Sequence, residues 1–156
     1  MVFLNDFPPE FSGDINDVYA AALKYFKQRD VLEVYLGGVT KSGIKKINKK
    51  TRGVDAVTDV LSYPNLSAVE FPLKKSDYKN DINMETGKVM LGEILICLDR
   101  MKEQAEQFGH TAQRECCYLF LHGLLHLFGF DHEDDADKDR MRRAEEDILS
   151  SLNILR

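Results

Sequence analysis

Apolar and polar positions recur along this chain with two periods, and the periods predict its elements. Residues 2–5 (VFLN) read as a short strand, broken by Pro8 and Pro9. Between 14 and 28, Val18, Ala21, Ala22, Tyr25 and Phe26 fall on one helical stripe, with Asp14 placed as the cap. LEVYLGG, 32–38, alternates Leu32, Val34 and Leu36 and predicts a strand ending in glycines. Thr40 or Ser42 then caps a short helix to about residue 50, and 58–64 (TDVLSYP) predicts a third strand stopped by Pro64. Residues 64–88 are polar and broken, a long loop for a small domain. VMLGEILICL, 89–98, is apolar almost throughout and predicts a largely buried strand. Three helices follow. One is capped by Asp99 and ends at Phe108 before Gly109. The next runs from Thr111 to about Phe128 and is stopped by Gly129. The last covers about 134–152 with Met141, Ala144, Ile148 and Leu152 on its apolar face. Strands first and helices mostly later predict an α+β fold, a mixed sheet of about four strands packed with helices.

Composition narrows the class. The 156 residues are 44% hydrophobic and 30% charged, the balance of one folded domain spanning 1–156. No run of about 18 apolar residues is present to span a membrane, and MVFLNDFPPEF lacks the basic region of a secretory signal. The expected compartment is the cytoplasm. Cys97, Cys116 and Cys117 have no Cys-x-x-Cys spacing and read as reduced thiols in or near the core. The net charge of −5 argues against a general nucleic-acid coat protein, but its distribution is uneven. Residues 41–52 (KSGIKKINKKTR) are basic without an acid, and 131–139 (DHEDDADKD) are strongly acidic. The basic run suits an RNA backbone, and equally a solvated helix face.

The sharpest chemical signal is the histidines. His122 and His126 are four apart on a predicted helix, so both rings share one face about 6 Å apart. Gly129 can turn the chain back so that His132 approaches the same point. Leucines and phenylalanines on nearly every side bury this helix, and buried imidazoles need partners. Three neutral imidazoles around one divalent ion leave a position open, as in a catalytic zinc site; nickel or copper can also bind such a set. The spacing matches the metalloprotease pattern H-E-x-x-H-x-x-G-x-x-H except at one position. Gly123 stands where those proteases carry the glutamate that serves as general base.

HGLLHLFGFDH also resembles the H-G-x-L-H-L-x-G-Y-D-H signature of the YbeY family of rRNA maturation factors, with Phe130 in place of Tyr. TRGVDAVTDVLSYP resembles that family's arginine-containing stretch ending in T-D-V-L-S-F-P, which matches Arg52 to its functional arginine. LGEILIC (91–97) and GHTAQRE (109–115) resemble further family segments, and Met141, Glu145, Ile148 and Leu149 fit its closing helix. The resemblance implies a zincin-like histidine helix and one zinc per chain on His122, His126 and His132. It implies a cytoplasmic, single-strand-specific endoribonuclease that processes the 16S rRNA 3′ end during small-subunit maturation. Partners are then precursor rRNA and the small ribosomal subunit, with neither membrane nor DNA expected.

The chemistry holds up beside the resemblance. A divalent ion can polarise a phosphate or acidify a water. Arg52 can fork onto phosphate oxygens. Water and the RNA 2′-hydroxyl both remain open as nucleophile. His122 and Arg52 are the expected catalytic residues, with Arg52, Lys45, Lys46, Lys49 and Lys50 on the substrate. Asp131 is a candidate to orient a ligand histidine, Asp59 to pair with Arg52 or a loop, and Glu93 to face the cleft or an edge. His110 reads as a capping or surface residue, with a role in the site as the alternative. Two alternatives stand: an assembly factor with a structural metal, and a metallopeptidase.

Overall fold

The computed structural model describes residues 1–67, 69–131 and 134–154. Four strands, β1 (Val2–Asn5), β2 (Leu32–Val39), β3 (Val60–Pro64) and β4 (Val89–Cys97), form one sheet in the order β1-β2-β4-β3. β1, β2 and β4 are parallel, and β3 runs antiparallel to β4. Five helices surround it: α1 (Ser12–Tyr25), α2 (Lys41–Arg52), α3 (Leu98–Phe108), α4 (Ala112–Leu127) and α5 (Asp135–Ser151). This is the α+β mixed sheet the periodicity predicts.

β4 is apolar along its length because both of its faces are covered. Ile94 and Ile96 join the large core with α1, α4 and α5, whereas Leu95 and Cys97 join Ile44 of α2 and Leu61. Glu93, the neighbour of Ile94, points away from α4 and is exposed on a central strand. It therefore faces neither the histidine cleft nor a sheet edge. α4 is the hub, packed on β3, β4, α1, α3 and α5. Its apolar residues are buried nearly all round, as its sequence requires.

Two of the expected caps form, and a third closes the start of the last helix. The Thr40 side chain accepts from Gly43 N, Thr111 from Arg114 N and Asp134 from Asp137 N. α3 differs: it starts two residues early, Cys97 occupies the cap, and Asp99 sits in the first turn, where its charge suits the helix dipole. α1 begins at Ser12 under Phe11, so Asp14 too lies within the first turn.

The long polar stretch is anchored to the core. Leu66 and Leu73 are buried, and Phe71 stacks on Phe26 and meets Phe128 edge-on, both at 4.7 Å between ring centroids. Gln28 accepts from Leu73 N at 2.6 Å and donates to Leu73 O at 3.3 Å. The fully buried Glu33 carboxylate accepts from Asn83 at 2.8 Å and from the Thr86 hydroxyl. Polar residues here satisfy one another against the core, which is why polarity alone reads as loop.

Candidate active site

α4 carries His122 and His126 to the floor of a cleft of about 510 Å³. The start of β3 supplies one wall with Thr58, Asp59, Val60 and Ser62, the end of α2 supplies Arg52, and the turn after α4 supplies Phe130 and Asp131. Gly129 makes that turn at φ 85°, a left-handed conformation that costs glycine least. The third expected ligand, His132, lies outside the described residues.

The two imidazoles converge. Their Nε2 atoms are 3.2 Å apart, and the rings meet at 81° with centroids 4.7 Å apart. Each Nδ1 faces an acceptor: Glu145 Oε1 at 2.8 Å for His122, and the Phe130 carbonyl at 3.0 Å for His126. A carboxylate and a carbonyl only accept, so each Nδ1 carries a proton, and both Nε2 atoms are left to face each other in the cleft. Two lone pairs at this distance repel unless a cation lies between them. Tetrahedral zinc with Zn–N of about 2.05 Å separates two nitrogen ligands by about 3.3 Å. The pair thus fits a shared metal ion. The hydrogen bonds behind it are the arrangement that orients metal-binding histidines. Among the described residues no group of three or more potential ligand side chains converges.

Glu145 is the functional residue that sequence reasoning placed only as part of a closing helix. The available signal is that a ligand histidine needs an acceptor behind it, but many acids on α5 qualify by sequence. Asp131 is exposed at the cleft rim, and Glu145 takes the orienting role for His122.

Arg52 is the last residue of α2. Its Nη2 donates to Ser62 O at 3.2 Å, and its guanidinium lies 5.9 Å from the Tyr63 ring centroid. That holds it at the cleft beside the histidines. The expected Arg52–Asp59 pair does not form among the described residues. Asp59 instead accepts from Thr58 Oγ1 (3.1 Å), Val60 N (2.8 Å) and Gln104 Nε2 (3.0 Å), bracing the cleft wall. The four lysines do not line the cleft. They are exposed on α2, with Lys49 and Lys45 2.8 and 3.6 Å from the Asp55 carboxylate. Lys46 and Lys50 are exposed beside them.

Position 123 explains the missing protease glutamate. Gly123 is buried on the sheet side of α4, where an added Cβ would lie 2.9 Å from Ile94 Cγ2. No side chain fits there, and a carboxylate would be pressed into the core rather than reach the cleft. The peptidase alternative therefore has no base at that position. The cysteines are buried as expected. Burial pushes the Cys117 thiol up to about 12 and raises Cys116 and Cys97 as well, so none offers a reactive thiolate. His110 stands apart from this cleft, its Nε2 3.1 Å from Glu115.

Known proteins share this pattern. A family model described as Endoribonuclease YbeY matches residues 5–153. Proteins named Endoribonuclease YbeY from Clostridium botulinum (strain 657 / Type Ba4) and Clostridium perfringens (strain SM101 / Type A) are each 38% identical to the chain. The first alignment covers 94% of this chain and 91% of the relative, the second 97% and 92%. The solution structure of TM1509 from Thermotoga maritima superimposes with a TM-score of 0.60 at 22% identity, over 98% of this chain and 92% of that one. That likeness shows the fold.

Proposed function

We propose that this chain, which belongs to the YbeY endoribonuclease family and acts on RNA, cuts single-stranded precursor 16S rRNA near its 3′ end with the help of one histidine-held metal ion. The observation that carries the metal is the pair of Nε2 atoms 3.2 Å apart with both Nδ1 protons committed elsewhere. His122, His126 and His132 would hold the ion, zinc being the best match and nickel an alternative. When bound, the ion supplies positive charge to the phosphate oxygens during bond cleavage.

The chain's own residues do the rest. Arg52 lines the same cleft and offers a planar fork of N–H donors to non-bridging phosphate oxygens. Ser62 O and the Tyr63 ring keep that fork from swinging into solvent. Glu145 and the Phe130 carbonyl hold the two histidines in one tautomer, so nothing reorganises when the substrate arrives. Thr58 and Asp59 brace the wall at the start of β3. Lys45, Lys46, Lys49 and Lys50 extend the positive surface outward from Arg52 along α2, to guide the RNA backbone rather than to touch the scissile bond. The chain acts as one domain in the cytoplasm, with the small ribosomal subunit as its platform. No helix among the described residues is long and apolar enough to cross a membrane.

The test uses untagged protein. Elemental analysis should find about one transition metal per chain in the wild type and none in His126→Ala. Cleavage of a single-stranded 16S 3′-end RNA should follow the metal. A metal-free wild type that also fails to take up zinc would end this reading in favour of a binding-only assembly factor.

A further inference from the structure

A second surface adjoins the cleft along the same helix. Glu115, Tyr118 and His122 are three and four residues apart on α4 and so lie on one face. The Tyr118 ring is 5.9 Å from the His122 ring. Beyond Tyr118 runs a groove of about 470 Å³ lined by Phe108, His110, Arg114, Glu115 and Tyr118. By helical rise it lies about 6–10 Å from His122.

Its aromatic rings are arranged in an orderly way. Phe108 ends α3 with 64% of its surface exposed, and its ring lies nearly parallel to His110 (22°, 6.1 Å between centroids). His110 is fixed in turn: Nε2 is 3.1 Å from Glu115 Oε2, and Nδ1 is 3.4 Å from Thr111 O. Glu115 is itself buried, with Arg114 Nη1 3.8 Å away. A buried carboxylate thus holds one ring, which holds the plane of a second ring that packing does not require.

We propose that this groove is a stacking subsite for an unpaired base of the RNA, one or two nucleotides from the scissile phosphate. The proposal rests on the cleft being the place of cleavage. Three features favour an RNA base over another occupant. The groove lies one to two helical turns along α4 from the cleft of an enzyme that acts on RNA, with Tyr118 against His122 between them. Its rings offer flat faces, and bases stack on such faces whatever their sequence. Arg114 places a cation at the edge, suited to a phosphate or to the base plane. A paired base cannot present its face here, so the subsite selects single strands.

The experiment compares full-length wild type, Phe108→Ala and Phe108→Trp. The probe is a short fluorescein-labelled oligoadenylate, read by anisotropy with a chelator present. Phe108→Ala should weaken binding about 5- to 100-fold at unchanged melting temperature, and Phe108→Trp should restore it. A 2-aminopurine in the strand should lose fluorescence on binding wild type and not on binding Phe108→Ala. With metal, KM should rise while kcat stays within about twofold. Unchanged affinity in Phe108→Ala, an equal loss for blunt RNA duplex, no rescue by Trp, or no RNA binding by wild type would each overturn the subsite. Wild type that binds through Phe108 yet cleaves nothing when loaded with metal would instead sink the cleft reading and leave the groove standing.

Discussion

Removing the carboxylate of Glu145 should weaken metal binding by a calculable amount without touching a ligand. Glu145 Oε1 accepts from His122 Nδ1 at 2.8 Å, and the two side chains are 12% and 23% exposed. A hydrogen bond to a charged group in such a place contributes roughly 1.5–3 kcal/mol. A ligand histidine draws on it because the carboxylate raises the basicity of Nε2 and fixes the ring. Glu145→Ala should therefore lower zinc affinity on the order of 10- to 100-fold, the usual range for losing the acceptor behind a ligand. Glu145→Gln keeps a neutral acceptor and should lose about tenfold or less. His126→Ala removes a ligand and should lose far more than either. Competition of the apo protein against a chromophoric zinc chelator, at fixed pH and with no tag, measures all three. Thermal melts of the metal-free proteins show whether the loss arises from unfolding. Wild-type zinc affinity in Glu145→Ala, or a Gln variant as weak as the Ala variant, would refute the reasoning from the carboxylate.

Other expectations follow from close contacts and charges. Gly92 on β4 has φ +151°, and a Cβ there would lie 2.3 Å from Tyr63 O. Gly92→Ala should thus cost at least about 2 kcal/mol and lower the melting temperature by about 4–8 °C, and a melt within about 1 °C of wild type would contradict it. Gly123→Glu should not create a peptidase. It should fold poorly, because the new side chain meets Ile94 in the core, and a well-folded variant that cleaves casein would reverse that view. Burial of Asp30 tends to raise its pKa, but bonds from the chain amino group, Lys88 and Tyr19 outweigh it and hold the carboxyl below its ordinary value. Its stabilisation is therefore present above about pH 4 and is lost as pH falls through the lowered value. Asp30→Asn should cost about 0.5–1 kcal/mol at pH 7, a modest figure because the site is half exposed, and progressively less as pH falls through that lowered value. Urea melts across pH would disprove this if the gap persisted in acid.

The boundary between what was readable and what was not follows the range of the interactions. Local order was readable: the capping threonines, the helical stripe of α1, the alternation of β2 and the continuous apolar run of β4 each depend on neighbours within a few residues. The histidine pair was readable for the same reason, since i, i+4 on a helix fixes a distance. Everything that depends on a partner far along the chain was not. Glu145 lies 23 residues from His122, and only the packing of α5 on α4 brings them to 2.8 Å. The Phe130 carbonyl is a backbone group with no sequence signature. Asp59 and Arg52 looked like an ion pair by charge, but Gln104, 45 residues away, claims the carboxylate. Glu93 looked like a cleft or edge residue of an apolar strand, but alternation on a central strand turns it away from α4, where it is exposed. Sequence by itself determined the elements and the shared face of the histidine pair, because bonds and helical pitch are local. Tertiary structure decided which side chains support that pair, how tightly Ile94 packs on position 123 and where the aromatic groove lies, because burial and long-range contact exist only once the helices have packed.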